Sequence, residues 1–398
     1  MHIAVLLNGP VRHDSRVIKV INSLALQHSV DLFYLEGSGE DRQLFPDNVR
    51  LYPHRHPVNF RVKLKRHSVF YREFSFLSDA VLKEHAAQKY DLVYANDLPC
   101  LRPAVNIKSR TGMRLVYDSH EIYLETLNQF VPIHAGRAIK RFAAGALLAF
   151  MRSLGRNAER KLLKSCDMMI TVNQSLSDYF KEKYGLKEVP FLLNCPPLEM
   201  EAHPAAIDYR KTYAWPAGVT VIYHHGNFTR GKGLEQLLEA VSLLDEKYKL
   251  VLLGSGTLTP LLQERAKRPD LRHKVVFAGR VEPRQLTAYA SAADIGINFL
   301  ENINLSKSLA SNNKLFEYIH AGLPVLSSDN IENQRVHKRF GIGEVTPLEP
   351  RSVARAIERM NDPLRLRQYR EACREARKEL NWNKQEALLL SLIRSLER

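Results

Sequence analysis

The chain has 398 residues, which exceeds the usual size of one domain and predicts two domains of roughly 200 residues or fewer each. Apolar residues make up 45% and charged residues 25%, so the composition excludes a disordered, collagen-like or low-complexity protein. The net charge of +15 indicates an anionic partner, and nucleic acid, a phosphorylated small molecule and an acidic membrane all fit it.

Cysteine usage and hydropathy indicate the compartment. The four cysteines, Cys100, Cys166, Cys195 and Cys373, lie far apart and form no Cys-x-x-Cys pair. They predict neither a disulfide framework nor a thiolate zinc site and are typical of a reducing environment. The apolar run Ile3 to Leu7 is too short for a secretory signal, and no stretch approaches the roughly 20 apolar residues of a membrane-spanning helix. We therefore expect a cytoplasmic protein.

Short apolar runs alternate with helix-period segments through the first half of the chain. The predicted strands are Ile3 to Leu7, Val30 to Leu35, Leu92 to Ala95, Leu115 to Tyr117, Met168 to Val172 and Pro190 to Leu193. Such alternation is typical of βαβ units in a parallel sheet, and it predicts an N-terminal Rossmann-like domain over residues 1–194.

Prolines then interrupt the pattern, and they predict an interdomain linker over residues 195–218. A second series of strands follows at Val219 to His224, Leu250 to Leu253, Val275 to Ala278, Ile295 to Phe299 and Pro324 to Leu326. It predicts a second doubly wound α/β domain over residues 219–380. Residues 381–398 are expected to form a helix that packs back on the N-terminal domain. Two such domains predict an interdomain cleft as the ligand site.

A glycine-rich loop at residues 225–233 joins a predicted strand to a predicted helix. Glycine lets the backbone approach an anion closely, and Arg230 with Lys232 adds charge beside a helix N-terminus that carries roughly half a positive charge. We expect a phosphate here, although a tight turn with solvated cations is an equal alternative. The loop matches neither the Walker A nor the dinucleotide pattern. The segment Gly254-Ser255-Gly256 has the same two interpretations.

A second motif spans residues 312–325. Asn312 or Asn313 can cap a helix that ends at Gly322 before the next strand. Amides at that helix start could hold phosphate oxygens, and the Glu317 carboxylate, one turn further on, could accept hydrogen bonds from paired sugar hydroxyls. The alternative is that Glu317 only lies favourably in the first turn of the helix.

The motifs taken in order resemble retaining glycosyltransferase family 4. In the C-terminal half they are residues 226–233, Gly254-Ser255-Gly256, Phe277-Ala278-Gly279-Arg280-Val281, Ala293-Asp294-Ile295, residues 313–318 and residues 321–325. In the N-terminal half they are Asn8-Gly9-Pro10, Asp14-Ser15-Arg16-Val17 and Tyr117-Asp118-Ser119-His120-Glu121. The resemblance covers most of the chain and implies the GT-B fold, with two facing Rossmann-like domains and an interdomain cleft.

The resemblance also implies roles for individual residues. Lys232, with Arg230, would contact the donor diphosphate, Glu317 would bind the nucleotide ribose, and His120 would act at the transferred sugar. A packed, hydrogen-bonded histidine is the alternative for His120. The other expected donor-binding residues are Gly9, Gly226, Asn227, Gly254, Ser255, Arg280, Val281, Asn313, Lys314 and Leu315. Among these, amides around Lys314 and Leu315 would meet phosphate, and the edge at Arg280 and Val281 would frame the base.

Two positions depart from the family pattern. An arginine commonly follows the first glycine of the loop, whereas this chain has Asn227 there, so Arg230 is the candidate substitute. A glutamate commonly lies eight residues before the ribose-binding one, and here that position is Leu309. The identity of the sugar and the choice of UDP or GDP therefore stay open.

The expected activity is retaining transfer of a sugar from a nucleotide-diphosphate sugar to a hydroxyl acceptor. The expected acceptor is a lipid-linked saccharide or glycolipid in cell-surface polysaccharide synthesis, and a soluble metabolite is the alternative. With no Asp-x-Asp pair to hold a metal, we expect no metal and no other cofactor. The pairs His54-x-His56 and His224-His225 are expected to be solvated or structural. Competing hypotheses are a GT-B sugar-nucleotide epimerase, a phosphorylase, and a non-catalytic basic protein that binds membranes or nucleic acid. No nucleic-acid-binding motif is present, so no nucleic acid is expected as partner.

The positive charge is concentrated in local runs. One spans Arg61 to Arg72, and another spans Arg137 to Lys164 around the apolar segment Phe142 to Met151. In the second, Arg152, Arg156, Arg160 and Lys164 recur every four residues, as an interfacial helix would place them. These runs predict peripheral binding to an anionic cytoplasmic membrane surface, and a solvated helix face is the alternative.

Overall fold

The computed structural model describes residues 1–55, 75–129, 138–198, 207–282 and 285–397. The chain divides into two units: Met1–Leu192 together with Gln385–Arg398, and Leu193–Lys384. Each unit contains a six-stranded parallel sheet with helices around it. The predicted basic run Arg61 to Arg72 lies outside the described residues.

The sheet of the first unit has the Rossmann strand order β3-β2-β1-β4-β5-β6. Its strands are β1 His2–Leu7, β2 Ser29–Leu35, β3 Val49–His54, β4 Leu92–Asn96, β5 Arg114–Ser119 and β6 Met168–Thr171. Strand β3 was not predicted. It contains Pro53, and it lies at the edge of the sheet, where the missing backbone N–H of a proline is tolerated.

The helices of the first unit are α1 Ser15–Ala25, α2 Ser75–Ala87, α3 Asp97–Thr111, α4 Ala138–Leu163 and α5 Gln174–Tyr184, and 3-10 turns lie at Val11–His13, Gly39–Leu44 and Tyr123–Gln129. The Asp14 side chain caps α1 by accepting a hydrogen bond from the Val17 amide at 3.0 Å. Helix α1 buries the side chains of Val17, Ile21 and Leu24. The first turn of this helix is thereby fixed next to the carboxyl end of β1.

The predicted strand at Pro190 to Leu193 is wrong. Only Phe191 forms a bridge to the sheet, with Thr171 of β6. Pro190 has no N–H to donate, and two further prolines follow at Pro196 and Pro197, so the segment makes one bridge and then leaves the sheet.

The sheet of the second unit has the order β12-β11-β10-β7-β8-β9, which is the same Rossmann order in its own strand sequence. Its strands are β7 Thr220–Asn227, β8 Tyr248–Ser255, β9 Val275–Gly279, β10 Ile295–Asn298, β11 Val325–Ser328 and β12 Gly343–Thr346. The five predicted strands and the unpredicted edge strand β12 pair in parallel with their neighbours.

The helices assigned to this half of the chain are α6 Tyr209–Thr212, α7 Leu234–Ser242, α8 Thr259–Ala266, α9 Leu286–Ser291, α10 Leu305–Leu309, α11 Asn313–His320, α12 Ile331–Phe340, α13 Pro350–Met360, α14 Pro363–Glu379 and α15 Trp382–Arg394. Two apolar clusters pack on them. Neighbouring strand residues Leu250 and Val251 enter different clusters, because successive side chains of a strand point to opposite faces.

The described part of the predicted linker packs into the second unit. Cys195 and Tyr209 are fully buried and belong to one of its two apolar clusters. Helix α15 crosses the boundary between the units, since its residues from Gln385 onward group with the first unit. There the Ser23 hydroxyl donates a hydrogen bond to Glu386 at 2.6 Å. Within the described ranges, the helices are too short or too polar to cross a membrane.

Candidate active-site residues

In the first unit, His120 lies directly after β5 among three aspartates. Its backbone N–H donates to Asp97 Oδ1 at 2.9 Å, and its ring Nδ1 lies 3.5 Å from Asp97 Oδ2 and 3.9 Å from Asp14 Oδ2. Its Nε2 lies 3.6 Å from Asp118 Oδ2. Burial alone would lower the pKa of His120, but the charges of Asp97 and Asp118 raise it to about 9. The imidazole is therefore cationic at neutral pH.

Asp118 is held by a buried arginine. Arg16 Nε donates to Asp118 Oδ2 at 3.1 Å and its Nη2 donates to Oδ1 at 2.8 Å, while the Tyr94 hydroxyl donates to Oδ2 at 2.8 Å. Burial opposes the charged carboxylate, yet Arg16 and His120 keep the pKa of Asp118 well below its usual range. Arg16 also donates to the carbonyl oxygens of Leu192 and Thr171, which fixes its guanidinium. Asp118 is thus a fixed negative charge beside His120.

The backbone at Asp97 is strained. Its φ is +60°, in the left-handed region, which costs a non-glycine residue of order 1–3 kcal/mol. The conformation places the Asp97 carboxylate where it accepts the His120 amide hydrogen at the junction of β4 and α3. Strain of this kind persists only where surrounding contacts enforce it, and here it brings a carboxylate to a histidine.

Gly9 follows β1 near the start of the chain. A Cβ built at Gly9 would meet no protein atom within 4 Å, and its φ is not in the left-handed region. The described protein atoms do not themselves require a glycine there, so its expected role stays a prediction.

In the second unit, two glycines bring the ends of β7 and β8 together. Gly226 has φ +113° and Gly254 has φ +139°. A Cβ at Gly254 would lie 2.0 Å from the carbonyl oxygen of Gly226, so only glycine fits. At the same edge Arg280 Nε donates to the Ser255 hydroxyl at 2.5 Å, and Val281 follows it, half-buried.

Lys232 reaches the start of α11. Its Nζ donates to Asn312 Oδ1 at 3.2 Å, while Asn312 Nδ2 donates to Asn298 Oδ1 at 3.1 Å. Burial, followed by the charge of Lys307, lowers the pKa of Lys232 to about 8. Asn312 occupies the N-cap position of α11, but its side chain makes no capping bond and binds Lys232 instead.

The first turn of α11 carries a second lysine, Lys314, which is only 8% exposed. Its Nζ lies 3.2 Å from Nε2 of His224, whose Nδ1 lies 3.2 Å from the carbonyl oxygen of Ile297. Burial and the charge of Lys232 lower the pKa of Lys314 to about 7, although Glu317 acts in the opposite direction.

Glu317 is fixed from the strand. His225 Nε2 lies 2.6 Å from Glu317 Oε2, and because a carboxylate oxygen accepts, the ring nitrogen donates. His225 is 2% exposed, and its ring also packs edge-on against Tyr318. The prediction for His224 and His225 offered solvated or structural positions; the structure excludes solvated ones, because both are buried.

The side chains of the other predicted residues of the second unit do not contact those of Lys232, Lys314 or Glu317 through a hydrogen bond that the structure describes. Arg230 and Asn227 are exposed, and Arg230 makes no hydrogen bond or ion pair with the residues that the structure describes. The Asn313 side chain accepts a hydrogen bond from Asn194 at 3.0 Å, and the Leu315 amide already donates to Asn312 O at 3.1 Å. Leu309, at the position of the missing glutamate, is buried in α10.

Sequence reasoning missed several contributors, chiefly Asn312 as a lysine partner and the two histidines of β7. The signal was available for His224 and His225. Neighbouring residues of a strand point to opposite faces, and both faces of a parallel sheet are covered, so both imidazoles had to be buried and paired. Glu301 was also missed; its Oε1 accepts from the Gly233 amide at 3.1 Å and holds the glycine loop.

Two cations of the basic stripe predicted on α4 have partners within the first unit. Arg152 is paired with Glu125 at 2.7 Å, and Arg160 donates to the carbonyl oxygen of Lys183 and lies over the Tyr184 ring. These two cations are therefore engaged within the unit. Helix α4 also exposes four large apolar side chains, Phe142, Leu147, Phe150 and Leu154, which are 81%, 53%, 61% and 40% exposed. We call these four residues the α4 apolar face. Arg137 lies outside the described residues.

Among the described residues, no group of three or more His, Cys, Asp or Glu side chains is arranged to hold a metal ion.

Comparison with known proteins identifies the chain. Residues 15–192 match the family model described as Glycosyltransferase Family 4, and residues 219–362 match the one described as Glycosyl transferases group 1. An uncharacterized glycosyltransferase of Methanocaldococcus jannaschii, MJ1607, is 23% identical over 322 residues, which cover 78% of this chain and 77% of that protein.

Solved structures share the fold. Sucrose-phosphate synthase from Thermosynechococcus elongatus has a TM-score of 0.73 at 19% identity, over 100% of this chain and 99% of its own. Anabaena Alr3699/HepE in complex with UDP has a TM-score of 0.73 at 16% identity, over 99% and 100%. WaaG, a glycosyltransferase involved in lipopolysaccharide biosynthesis, has a TM-score of 0.63 at 15% identity, over 94% of each chain. The predicted family and fold are confirmed: the chain is a glycosyltransferase of family 4 with the GT-B fold.

Proposed function

We propose that this glycosyltransferase moves a sugar from a UDP- or GDP-linked donor to a hydroxyl group with retention of the anomeric configuration. The observation that carries the proposal is the meeting of Lys232 and Lys314 at the start of α11, one turn before Glu317. HepE was solved with UDP and with UDP-glucose, which supports a uridine donor as the first to test.

The two lysines suit a leaving diphosphate. In glycosyl transfer the bond from the anomeric carbon to the diphosphate oxygen breaks, and negative charge grows on that oxygen. Cations fixed near it stabilise the transition state more than the ground state. Each charge-assisted hydrogen bond contributes about 1.5 to 3 kcal/mol. Among the described residues, neither ammonium has a carboxylate oxygen within 4.0 Å, so their charge is not already neutralised by an ion pair.

The remaining donor contacts follow from the same edge of the sheet. Glu317, oriented by His225, would accept hydrogen bonds from the ribose hydroxyls. Arg280, held by Ser255, and Val281 would frame the base. Gly226 and Gly254 allow the backbone to approach the nucleotide closely.

We propose that His120 contacts the transferred sugar. Its neighbours Asp97 and Asp118 hold it as a cation, so it can donate a hydrogen bond to a sugar hydroxyl. The acceptor hydroxyl would attack the face that the diphosphate leaves, and its proton would pass to a diphosphate oxygen. This path needs no protein nucleophile.

The reaction would proceed without a bound metal, because the two lysines supply the charge that a divalent ion would otherwise bring to the diphosphate. Turnover in the presence of EDTA at the rate seen without it would support this. Turnover that EDTA abolishes and Mg²⁺ restores would contradict it.

For the acceptor we propose a lipid-linked saccharide or glycolipid of cell-surface polysaccharide synthesis, met at an anionic membrane surface on its cytoplasmic side. The α4 apolar face supports this, because an exposed run of large apolar side chains on one helix marks an interaction surface. The exposed cations Lys161 and Lys164 follow it on the same helix and its end. A cation near an anionic leaflet contributes about 1 kcal/mol.

A thermal-unfolding series tests the donor class. The protein would be heated alone and with UDP, GDP, uridine or a single-stranded oligonucleotide. We expect UDP or GDP to raise the unfolding temperature, uridine to raise it far less, and Lys232→Met to remove most of the rise. Stabilisation by the oligonucleotide alone, or by none of the nucleotides, would contradict the proposal.

A further inference from the structure

We propose that the Lys314 ammonium is the second diphosphate-binding cation beside Lys232, in place of the exposed Arg230, and that neutral His224 is the residue that positions it. The inference rests on the proposed binding of a nucleotide diphosphate. It concerns the side chain of Lys314, whereas the sequence pattern pointed only to backbone amides at that position.

The position of Lys314 beside the glycine loop supports its role as a diphosphate-binding cation. Its Nζ lies 3.8 Å from the position that a Cβ on Gly226 would occupy, so the ammonium lies against the first glycine of the loop that also carries Lys232. Lys232 reaches the same helix start through Asn312. The two lysines thus come from different elements to one loop, and the charge of each disfavours the charge of the other. Arg230 belongs to that loop too, but its side chain is exposed.

The hydrogen bonds of His224 fix its chemical form. A carbonyl oxygen only accepts, so the 3.2 Å contact from Nδ1 to Ile297 O requires the hydrogen on Nδ1. Burial, with Lys314 and then His225 adding to it, holds the pKa of His224 well below its usual value, so Nε2 carries a lone pair. That lone pair accepts from Lys314 Nζ at 3.2 Å.

His224 is a neutral hydrogen-bond acceptor for Lys314, whereas a carboxylate would be a charged one. The imidazole fixes the direction of the Lys314 side chain without cancelling its positive charge. The charge then remains available to an anion that arrives at the glycine loop. The imidazole is fully buried, and its hydrogen bond to the carbonyl oxygen of Ile297 holds the ring in place.

The charged groups around Lys314 predict a proton uptake. Lys232 from the loop, His224 from β7 and Glu317 from α11 face it. His225 of β7 acts on His224, and Lys307 of α10 acts on Lys232. The pKa of Lys314 is about 7 and that of Lys232 about 8 in the protein without ligand. A diphosphate beside both would favour their charged forms. Binding above pH 7 should therefore take up protons and weaken as the pH rises.

The experiment is calorimetric titration of UDP, with GDP in parallel, between pH 6.5 and 8.5 in buffers of different ionisation enthalpy. Lys314→Met keeps most of the side-chain volume and removes the charge. It should bind about 10- to 100-fold more weakly at pH 6.5 and lose more than half of the proton uptake at pH 8. Arg230→Met should lose less than about threefold, and the exposed Lys267→Met serves as the matched control.

Two further variants separate positioning from packing. Lys314→Arg keeps a charge that does not titrate, so it should bind UDP with a flatter pH profile than the unmodified protein, and it also serves if Lys314→Met fails to fold. His224→Gln can still accept from Lys314 and should retain more affinity than His224→Leu, whose loss should resemble that of Lys314→Met.

The outcomes are distinct. If Arg230→Met loses affinity as Lys314→Met was expected to, or if Lys314→Met and Lys314→Arg leave affinity and proton uptake unchanged, Lys314 is not the second cation. Equal binding by the Gln and Leu variants of His224 would overturn the positioning role. Absence of UDP and GDP binding by the unmodified protein would contradict the proposed function itself, and this inference with it.

Discussion

Arg16 and Asp118 form a buried ion pair through two parallel hydrogen bonds, at 3.1 and 2.8 Å, although 102 residues separate them in the chain. The pair joins the first turn of α1 to the end of β5, and it places a permanent negative charge 3.6 Å from His120 Nε2. Together with the charge of Asp97, this charge keeps the pKa of His120 raised.

Asp118→Asn should lower the pKa of His120 from about 9 toward its ordinary value, because one of its two main stabilising charges is removed. Leaving Arg16 buried without its partner should also cost about 3 to 5 kcal/mol of unfolding free energy. Histidine-selective NMR titration measures the first effect and urea unfolding the second. Asp79→Asn, an exposed change on α2, is the control and should alter neither.

The stability of the protein should depend on pH through His120. Its folded pKa lies above the unfolded value, so its contribution, at most about 3 kcal/mol, is fully present below pH 6.5 and is lost as the pH rises to about 9. The lysines with lowered pKa values act in the opposite direction. Comparison of the unfolding free energy with that of His120→Asn at pH 6 and pH 9 isolates the histidine. An equal difference at both pH values would refute its protonation.

The contact between His225 and Glu317 should matter for donor affinity. Glu317→Gln keeps the shape but weakens acceptance from ribose hydroxyls, so we expect the KM for the donor to rise about 10-fold or more with a smaller change in kcat. His225→Phe should act in the same direction by freeing the carboxylate. The exposed Glu264→Gln on α8 is the matched control, and a similar KM change there would show that the effect is not local.

The α4 apolar face should bind lipid. Sedimentation with vesicles of anionic lipid at low salt should pull down the unmodified protein and much less of the double variant Phe142→Ser with Phe150→Ser. Leu26→Ser removes an equally exposed apolar side chain elsewhere in the first unit and should leave binding intact. If the double variant sediments as the unmodified protein does, the face is not a membrane surface.

Much of the fold could be predicted because the strands are apolar runs buried on both faces. The two strands that were not predicted, β3 and β12, lie at the sheet edges, where a strand pairs with only one neighbour. An edge strand can therefore be less apolar, and the sequence of β3, Val-Arg-Leu-Tyr-Pro-His, has only a weak apolar pattern. The segment at Pro190 to Leu193 shows the converse error, because its composition is strand-like but its prolines limit pairing.

The site was predictable where a motif names its residue, as for His120, Lys232 and Glu317. The partners of these residues that come from distant segments of the chain could not be predicted. Arg16 contacts Asp118, and His224 contacts Lys314, only because the fold brings distant segments together, so no spacing along the chain predicts these pairs. The exposure of Arg230 could not be predicted either, because the side chains of a glycine-rich loop do not follow a regular pattern of buried and exposed positions.

Real-time NMR of donor turnover tests the central claim most directly. A panel of UDP- and GDP-sugars would be incubated with the protein and a lipid-linked saccharide acceptor while the anomeric proton of the new linkage is followed. We predict that one donor gives a product with the anomeric configuration of the donor, and that Lys232→Met slows its formation about 10- to 100-fold. An inverted product, or turnover that is indifferent to Lys232, would contradict the account.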